Sequence, residues 1–323
     1  MSDLTRLTAA AVTGGVLSFV LLFFMPFGKA LLGHDRGRKF VDGSEVNIGK
    51  PTGVGIYFAL AFVISVIIFT TEGTGLILIM ILTYLMAFIG FLDDRSKQPW
   101  GEYSKGAIDF IIAITGSVVF IYFFGSEFRL SFYDRIIVLN PFVYALLATI
   151  LIVVSINATN ATDGVDGLSG TLAILTVLTI ITSAFLRGTL TLQTALPGLV
   201  LTAVLIPYLF FNHYPSKMLM GDAGSRAIGF FIAFYFMYLK LPLAYLFAGL
   251  PFLIDGGLSI LKITIGRLTR KRIIILPNLI TPVHDHLKKN LKFSIPKTWA
   301  AICTAALLID IIYLLAVFIT SRF

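Results

Sequence analysis

Five aspartates lie in three short polar segments of a chain that is otherwise strongly hydrophobic. They are Asp93, Asp94, Asp163, Asp166 and Asp222. A carboxylate at the centre of a bilayer costs about 2.5–3.5 kcal/mol on insertion scales. If the hydrophobic segments cross a membrane, we therefore expect these aspartates at its boundary with water. Carboxylates gathered there can share a cation and a phosphate group, so that boundary is the predicted active face.

The first polar segment contains the pair Asp93 and Asp94, followed by Lys97 and Lys105. Paired carboxylates can hold a divalent metal or take a proton, while neighbouring lysines can meet phosphate oxygens. Two aspartates at the end of a helix are also common as a solvated terminus. The sequence leaves both interpretations open.

The second segment places Asn157, Asn160, Asp163 and Asp166 at intervals of three residues. In helical geometry this spacing puts them on one face. Each aspartate is directly followed by a glycine, which would let a ligand approach the backbone closely. The alternative interpretation is structural, with Asp163 or Asp166 capping the start of the next helix.

Asp222 stands in the third segment, Met-Gly-Asp-Ala-Gly-Ser, which is predicted to open a helix. Backbone N–H groups and glycines there leave room for a phosphate or a metal beside the carboxylate. Mg²⁺ needs only one or two protein carboxylates, so Asp222 is the candidate metal ligand. In the basic segment 267–297, His284 and His286 lack cysteine partners for zinc, so we expect them to contact phosphate or sugar oxygens. A polar surface loop is the alternative for these two histidines.

The elements that position these residues follow from composition. The 323 residues are 57% hydrophobic and 13% charged, and the mean hydropathy is +0.93. Such values are typical of a polytopic membrane protein, so we predict an all-α fold with one integral membrane domain over residues 1–323. Cys303 is the only cysteine, which excludes a disulfide framework. Nothing in the sequence indicates a nucleic-acid-binding module.

About ten transmembrane helices are predicted, at 8–29, 53–70, 74–92, 106–124, 141–158, 167–186, 193–211, 226–240, 241–265 and 298–320. Lys240 and Pro242 indicate a tight turn between the eighth and ninth helices. Nineteen of the 25 lysines and arginines fall in alternate connections and the helix ends beside them, all on one side, at 29–51, 93–105, 156–168, 212–226 and 262–297. By the positive-inside rule that side is cytoplasmic, it carries every motif above, and both termini lie outside.

These segments together resemble the polyprenyl-phosphate N-acetylhexosamine-1-phosphate transferases over most of the chain. Within the family they are most similar to the branch that transfers phospho-MurNAc-pentapeptide. The residues that carry the resemblance are Gly49-Lys-Pro-Thr52-Gly, Asp93-Asp94 with Lys97, the Asn157 to Gly167 segment, Phe211-Asn212-His-Tyr-Pro215 before Met-Gly-Asp222, and Pro282-Val-His284-Asp-His286.

The resemblance implies transfer of phospho-MurNAc-pentapeptide from its UDP carrier to undecaprenyl phosphate, with release of UMP and formation of lipid I. It implies that Asp222 binds Mg²⁺ and that Asp93 and Asp94 handle the lipid phosphate, one of them as a base. Asp255 falls where the family has a glutamate. The implied substrate site is lined by Thr52, Lys97, Lys105, Asn157, Asn160, Asp163, Asp166, Asn212, His284 and His286.

Some positions depart from the family pattern. Asp285 replaces a middle histidine, Leu219 replaces a phenylalanine, and Asn47 stands where a lysine is expected, with Lys50 near enough to supply the charge. The UDP-GlcNAc branch shares Met-Gly-Asp-Ala-Gly-Ser and is the alternative substrate class. A transporter is the alternative of another kind, but transport sites usually lie near the membrane midplane, whereas these acids concentrate at its boundary.

The expected partners are a UDP-linked amino sugar, undecaprenyl phosphate and the lipid bilayer, and no nucleic acid. A homodimer is left open by the sequence. The expected location is the bacterial cytoplasmic membrane, with the active site on its cytoplasmic face.

Overall fold

The computed structural model describes residues 2–25, 32–35, 48–98, 100–133 and 135–321. Its helices are α1 (Asp3–Phe24), α2 (Gly55–Phe69), α3 (Thr74–Arg95), α4 (Glu102–Phe124), α5 (Pro141–Thr162), α6 (Leu168–Leu186), α7 (Leu192–Asn212), α8 (Gly221–Tyr238), α9 (Tyr245–Ala248), α10 (Leu250–Phe252), α11 (Leu258–Leu268), α12 (Val283–Lys289) and α13 (Ile295–Thr320). Two short antiparallel strand pairs accompany them, β1 (Gly33–His34) with β2 (Pro51–Thr52) and β3 (Glu127–Arg129) with β4 (Ile136–Val138).

Each predicted span corresponds to a helical segment, which confirms the all-α, polytopic class. Among the described residues, seven helices are long and apolar enough to cross a membrane, and the bent pair Pro242–Ala248 and Leu250–Leu268 makes an eighth if it is one span. Helix α2 is apolar but has only 15 residues, and α8 carries Asp222 and Arg226 in its first turns. Ten crossings and the outside position of both termini therefore stay predictions.

Several predicted boundaries are wrong because helices run further than hydropathy indicates. Helix α1 starts at Asp3, five residues early, since the hydroxyl of Ser2 accepts a hydrogen bond from the N–H of Thr5 at 3.2 Å and caps it. Asp93 and Asp94 lie in the last turn of α3, and α5 continues to Thr162. The polar segments are therefore mostly helix ends and not loops.

The start of α6 also differs from expectation. Its N-cap is Gly167, which has a left-handed φ of 75° and makes no side-chain cap. Neither Asp163 nor Asp166 caps this helix, so the structural alternative for these two residues is wrong. The predicted turn after α8 is confirmed, with Lys240 at a φ of 59° and Pro242 opening a short 3₁₀ helix.

Helix α8 lies at the centre of the bundle. Every residue from Ala223 to Tyr238 is buried, and the helix packs against α2, α3, α4, α5 and α6. It touches the backbone of α5 at Gly229, where an added Cβ would lie 2.7 Å from the carbonyl oxygen of Ser155. The Ser155 hydroxyl donates to the Gly229 carbonyl at 2.7 Å. This close contact fixes α8, and the aspartate at its start, against α5.

The two ends of the bundle differ. At one end, the last turns of α3 and α5 meet the first turns of α4 and α8, and the predicted polar motifs lie there. At the other end, Thr71 accepts hydrogen bonds from Arg6 at 3.2 Å and from Gln193 at 2.6 Å. Glu127 and Lys240 form an ion pair at that same opposite end. The fold thus gathers the candidate site residues at a single end.

Candidate active site

Asp94, in the last turn of α3, caps the N-terminus of α8. Its Oδ1 accepts the backbone N–H of Asp222 at 3.1 Å, and its Oδ2 accepts that of Ala223 at 3.0 Å. Helix α8 has no side-chain cap of its own. Gly221, at a φ of +65°, leaves room for this contact, since an added Cβ would lie 2.7 Å from Cγ of Asp94. A carboxylate is favoured at a helix N-terminus. Asp94 therefore fixes the position of Asp222 in the first turn of α8.

Lys105, near the start of α4, joins the other two aspartates. Its ammonium group forms an ion pair with Asp93, and a second with Oδ2 of Asp222 at 2.9 Å. Asp93 is buried and also accepts the N–H of Trp100 at 2.7 Å. The amide of Asn160 donates to Oδ1 of Asp222 at 2.8 Å. We call the following side chains the carboxylate cluster: Asp93, Asp94, Lys105, Asn160 and Asp222.

A buried ion pair lies next to the carboxylate cluster. Nη2 of Arg226 donates to Oδ1 of Asp109 at 2.6 Å, and Nη1 lies 4.0 Å from Oδ2 of Asp222. The amide of Asn157 reaches Oδ2 of Asp109 at 3.4 Å, which connects this predicted residue to the cluster indirectly. Arg226 is a residue of the site that no sequence motif singled out. A signal was present, because a charge inside a predicted apolar helix needs a partner.

Asp166 and Asn212 bind the connections between helices. The carboxylate of Asp166 accepts both the N–H and the hydroxyl of Ser216, each at 2.9 Å. Oδ1 of Asn212 accepts the N–H of Gly167 at 2.9 Å, and its amide donates to the carbonyl of Met218 at 2.7 Å. These contacts hold the turn after α5 and the segment before α8 together. Asp166 and Asn212 thus hold these segments in place, and their contact with substrate stays a prediction.

His284, at the start of α12, is paired with Asp255 at the bend before α11. Asp255 accepts the backbone N–H of His284 at 2.7 Å and lies 2.8 Å from its Nδ1, and both residues are buried. Gly164 packs directly on this imidazole, since an added Cβ would lie 2.8 Å from Cε1. Lys288 donates to the Gly164 carbonyl at 3.3 Å. A buried histidine partner thus accounts for the acid in the bent segment.

The segment that contains Thr52 lies against the carboxylate cluster. Thr52 pairs with Gly33 in the β1–β2 pair, and the neighbouring Gly53 leaves space for Asp94, because an added Cβ would lie 3.3 Å from its Oδ2. Lys50 donates to the Ser216 hydroxyl at 2.9 Å, which places its charge beside the turn that follows α5.

The remaining predicted residues lie around this arrangement. Lys97 is exposed just after α3, and Asp163 is the C-cap of α5. Nδ1 of His286 accepts the N–H of Ile280 at 3.3 Å. Asn47, the departure near the Pro-Thr-Gly turn, lies outside the described residues.

The donor chemistry of the carboxylate cluster fits a magnesium ion with few protein ligands. Among the described residues, no three His, Cys, Asp or Glu side chains form a metal-ligating group. Mg²⁺ commonly takes one or two carboxylates and completes its shell with water and substrate phosphates. Asp222 binds an ammonium with one oxygen and an amide with the other. A cation can take the place of either donor.

The fold and this site define a polytopic membrane protein with a carboxylate-rich site at one end, and sequence comparison assigns it to a transferase family. The sequence model of glycosyl transferase family 4 matches residues 76–240, and the chain belongs to this family. Curated relatives carry the name phospho-N-acetylmuramoyl-pentapeptide-transferase. One from Treponema pallidum strain Nichols is 34% identical, with 89% of this chain and 85% of the relative covered. One from Carboxydothermus hydrogenoformans is 29% identical, with 86% and 91% covered. The resemblance seen in the motifs is confirmed.

Proposed function

We propose that the chain transfers phospho-MurNAc-pentapeptide from its UDP carrier to undecaprenyl phosphate, forming lipid I and releasing UMP. The observation that carries the proposal is the carboxylate cluster. Three aspartates and a lysine from α3, α4 and α8 meet at one helix N-terminus. Relatives named for this transfer, similar over most of the chain, support the same conclusion.

The proposed reaction exchanges one phosphoanhydride bond for another. An oxygen of the lipid phosphate forms a bond to the phosphorus that carries the sugar, and the bond from that phosphorus to the UMP oxygen breaks. Catalysis of such a step consists mainly of bringing two polyanions into line and neutralising the charge that develops. Asp93 or Asp94 would receive a proton if the lipid phosphate arrives protonated. Lys105 would move from a carboxylate to a phosphate oxygen.

Magnesium is the proposed cofactor. If its carboxylates are all ionised, the carboxylate cluster has a formal charge of minus two, because Lys105 offsets one of three aspartates. A divalent cation neutralises that charge. Asp222 would be its ligand, with Asp93 nearby, and the ion would supply charge stabilisation to the transferred phosphate.

An apolar groove supports a lipid acceptor. A groove of about 330 Å³ between α4 and α5 is lined almost wholly by hydrocarbon, from Phe110, Ile114, Val118, Leu146, Ile150 and Val153. Phe110 directly follows Asp109, and the carbonyl of Val153 accepts the Asn157 amide at 2.9 Å. One end of the groove therefore lies at the same level of the bundle as Asp109 and Asn157. An isoprenoid chain lying there would hold its phosphate near the carboxylate cluster.

The proposed location is the bacterial cytoplasmic membrane, with the carboxylate cluster facing the cytoplasm. The excess of lysine and arginine in the connections at that end supports this orientation. UDP-linked substrate comes from the cytosol, and the lipid phosphate lies at the headgroup plane, so the site meets both. A homodimer stays a prediction.

The direct test is an assay of the purified full chain with undecaprenyl phosphate and Mg²⁺. UMP release is followed with UDP-MurNAc-pentapeptide in one reaction and with UDP-GlcNAc in another. We expect turnover with the first substrate alone. Turnover with UDP-GlcNAc alone would assign the chain to the other branch, and no UMP release with either would overturn the proposal.

Alanine substitution of the two histidines of α12 is expected to lower turnover in both variants but to lower the melting temperature in only one. His286→Ala is expected to lower turnover with little change in melting temperature, because its ring contacts only a loop N–H among the described residues. His284→Ala is expected to lower both, since it leaves the buried Asp255 carboxylate without its side-chain partner, and hydrogen bonds to charged groups are worth about 1.5–3 kcal/mol. Thermal melts and UMP release measure the two effects. Normal turnover in both variants would contradict a role in the substrate site, and zinc bound in stoichiometric amount would assign them to a metal instead.

A further inference from the structure

The ion pair between Asp109 and Arg226 is next to Asp222, the metal ligand proposed above. The side chains are 1% and 3% exposed. Nη2 of Arg226 donates to Oδ1 of Asp109 at 2.6 Å and to the carbonyl of Lys105 at 3.3 Å. Nη1 lies 4.0 Å from Oδ2 of Asp222, and within the described part of the chain it is buried with no hydrogen-bond partner. The guanidinium therefore faces Asp222 without bonding to it.

The pair connects the two helices that carry the site. Arg226 lies one turn after Asp222 on α8, and Asp109 lies one turn after Lys105 on α4. The hydrogen bond to the Lys105 carbonyl adds a contact to the backbone of α4. These contacts join α4 and α8 one turn beyond Lys105 and Asp222.

The pair is also neutral as a whole. The charge of Asp109 offsets that of Arg226, so the pair adds no net charge beside the carboxylate cluster. Without Asp109, an unbalanced positive charge would stand 4.0 Å from Asp222 and repel a cation there. The guanidinium would also be free to turn and bond Asp222 directly, since planar donors of this kind match a carboxylate well. Either event would take Asp222 away from a metal ion.

We propose that Asp109 is a positioning residue, which holds Arg226 in a neutral buried pair and so keeps the Asp222 carboxylate free for a divalent cation. The inference rests on the proposed function for the identity of the metal ligand. In this mechanism, Asp109 acts on the cation site through Arg226.

The test measures Mn²⁺ binding to the detergent-purified full chain in the absence of substrates, with free Mn²⁺ followed by electron paramagnetic resonance. Asp109→Asn is expected to weaken binding by about 10-fold to 100-fold, the usual effect of losing a residue that supports a metal ligand. Arg226→Gln, which removes the repelling charge, is expected to bind at least as tightly as the wild type. The double variant Asp109→Asn/Arg226→Gln restores the charge balance and is expected to regain most of the lost affinity.

Asp310→Asn is the matched control, because Asp310 is a buried aspartate of α13 that lies outside the carboxylate cluster. It should bind Mn²⁺ like the wild type. A double variant as weak as Asp109→Asn would overturn the proposal, since Asp109 would then not act through Arg226. If Asp109→Asn does not fold, the Arg226→Gln protein decides, and weaker Mn²⁺ binding by this folded variant overturns the proposal.

UMP release by the wild type distinguishes this inference from the proposed function. A wild-type chain that transfers, together with variants that all bind Mn²⁺ equally, would overturn the role of the pair alone. A wild-type chain that neither transfers nor binds Mn²⁺ would overturn both.

Discussion

Asp222→Asn is expected to abolish turnover and to leave the fold intact. The substitution removes the charge that holds Lys105 at 2.9 Å and that would ligate Mg²⁺. It preserves the size of the side chain and an oxygen that can accept from Asn160. Groups that stabilise developing charge are typically worth about 10²-fold to 10³-fold each. Because this residue would also hold the metal, we expect the larger loss. UMP release at saturating Mg²⁺ measures the loss of turnover, and the melting temperature shows whether the fold is intact.

Asp310→Asn is the control for this first prediction as well, since it makes the same chemical change at a buried aspartate outside the carboxylate cluster. It should transfer at nearly the wild-type rate. If Asp222→Asn retained Mg²⁺-dependent turnover, the assignment of Asp222 as the metal ligand would be wrong, even if the chain proved to be the proposed transferase.

The grouping of Asp93, Asp94 and Asp222 at one end was predictable from the sequence. Hydropathy places each of them where a hydrophobic helix begins or ends, and basic residues assign those ends to one side. The helix bounds were less predictable. Polar residues such as Asn160 were counted as loop, but the helix continues through them because tertiary contacts satisfy their side chains.

Partner choices across helices could not be predicted from local pattern. Asp94 bonds the backbone of Asp222, 128 residues away in sequence, and Arg226 bonds Asp109, 117 residues away. Spacing along one helix holds no information on which side chain of another helix will face it. An unpaired charge inside an apolar helix does indicate that a partner exists, but Asp255 and Asp310 also lie in predicted helices, so the sequence does not match Arg226 to Asp109.

Asp93→Asn and Asp94→Asn are each expected to lower turnover by about 10²-fold or more, within the range of 10²-fold to 10⁴-fold for general base catalysis. Asp93→Asn removes one of the two charges that hold Lys105. Asp94→Asn disturbs the start of α8, because an amide can accept only one of the two N–H groups that the carboxylate binds, and its NH₂ group would face the other.

The structure predicts that the two variants differ in stability although both lose activity. Loss of a helix cap costs about 0.5–2 kcal/mol, so Asp94→Asn should lower the melting temperature, whereas Asp93→Asn caps no helix and should change it less. Glu127→Gln makes the matched change at the opposite end of the bundle, where Glu127 pairs with Lys240, and should leave turnover unchanged. Near-normal UMP release by both aspartate variants would mean that Asp93 and Asp94 are only a solvated helix terminus. Equal melting temperatures for the two would mean that Asp94 contributes little to the stability of the start of α8. The loss of turnover in Asp94→Asn would then come only from the loss of its role toward the lipid phosphate.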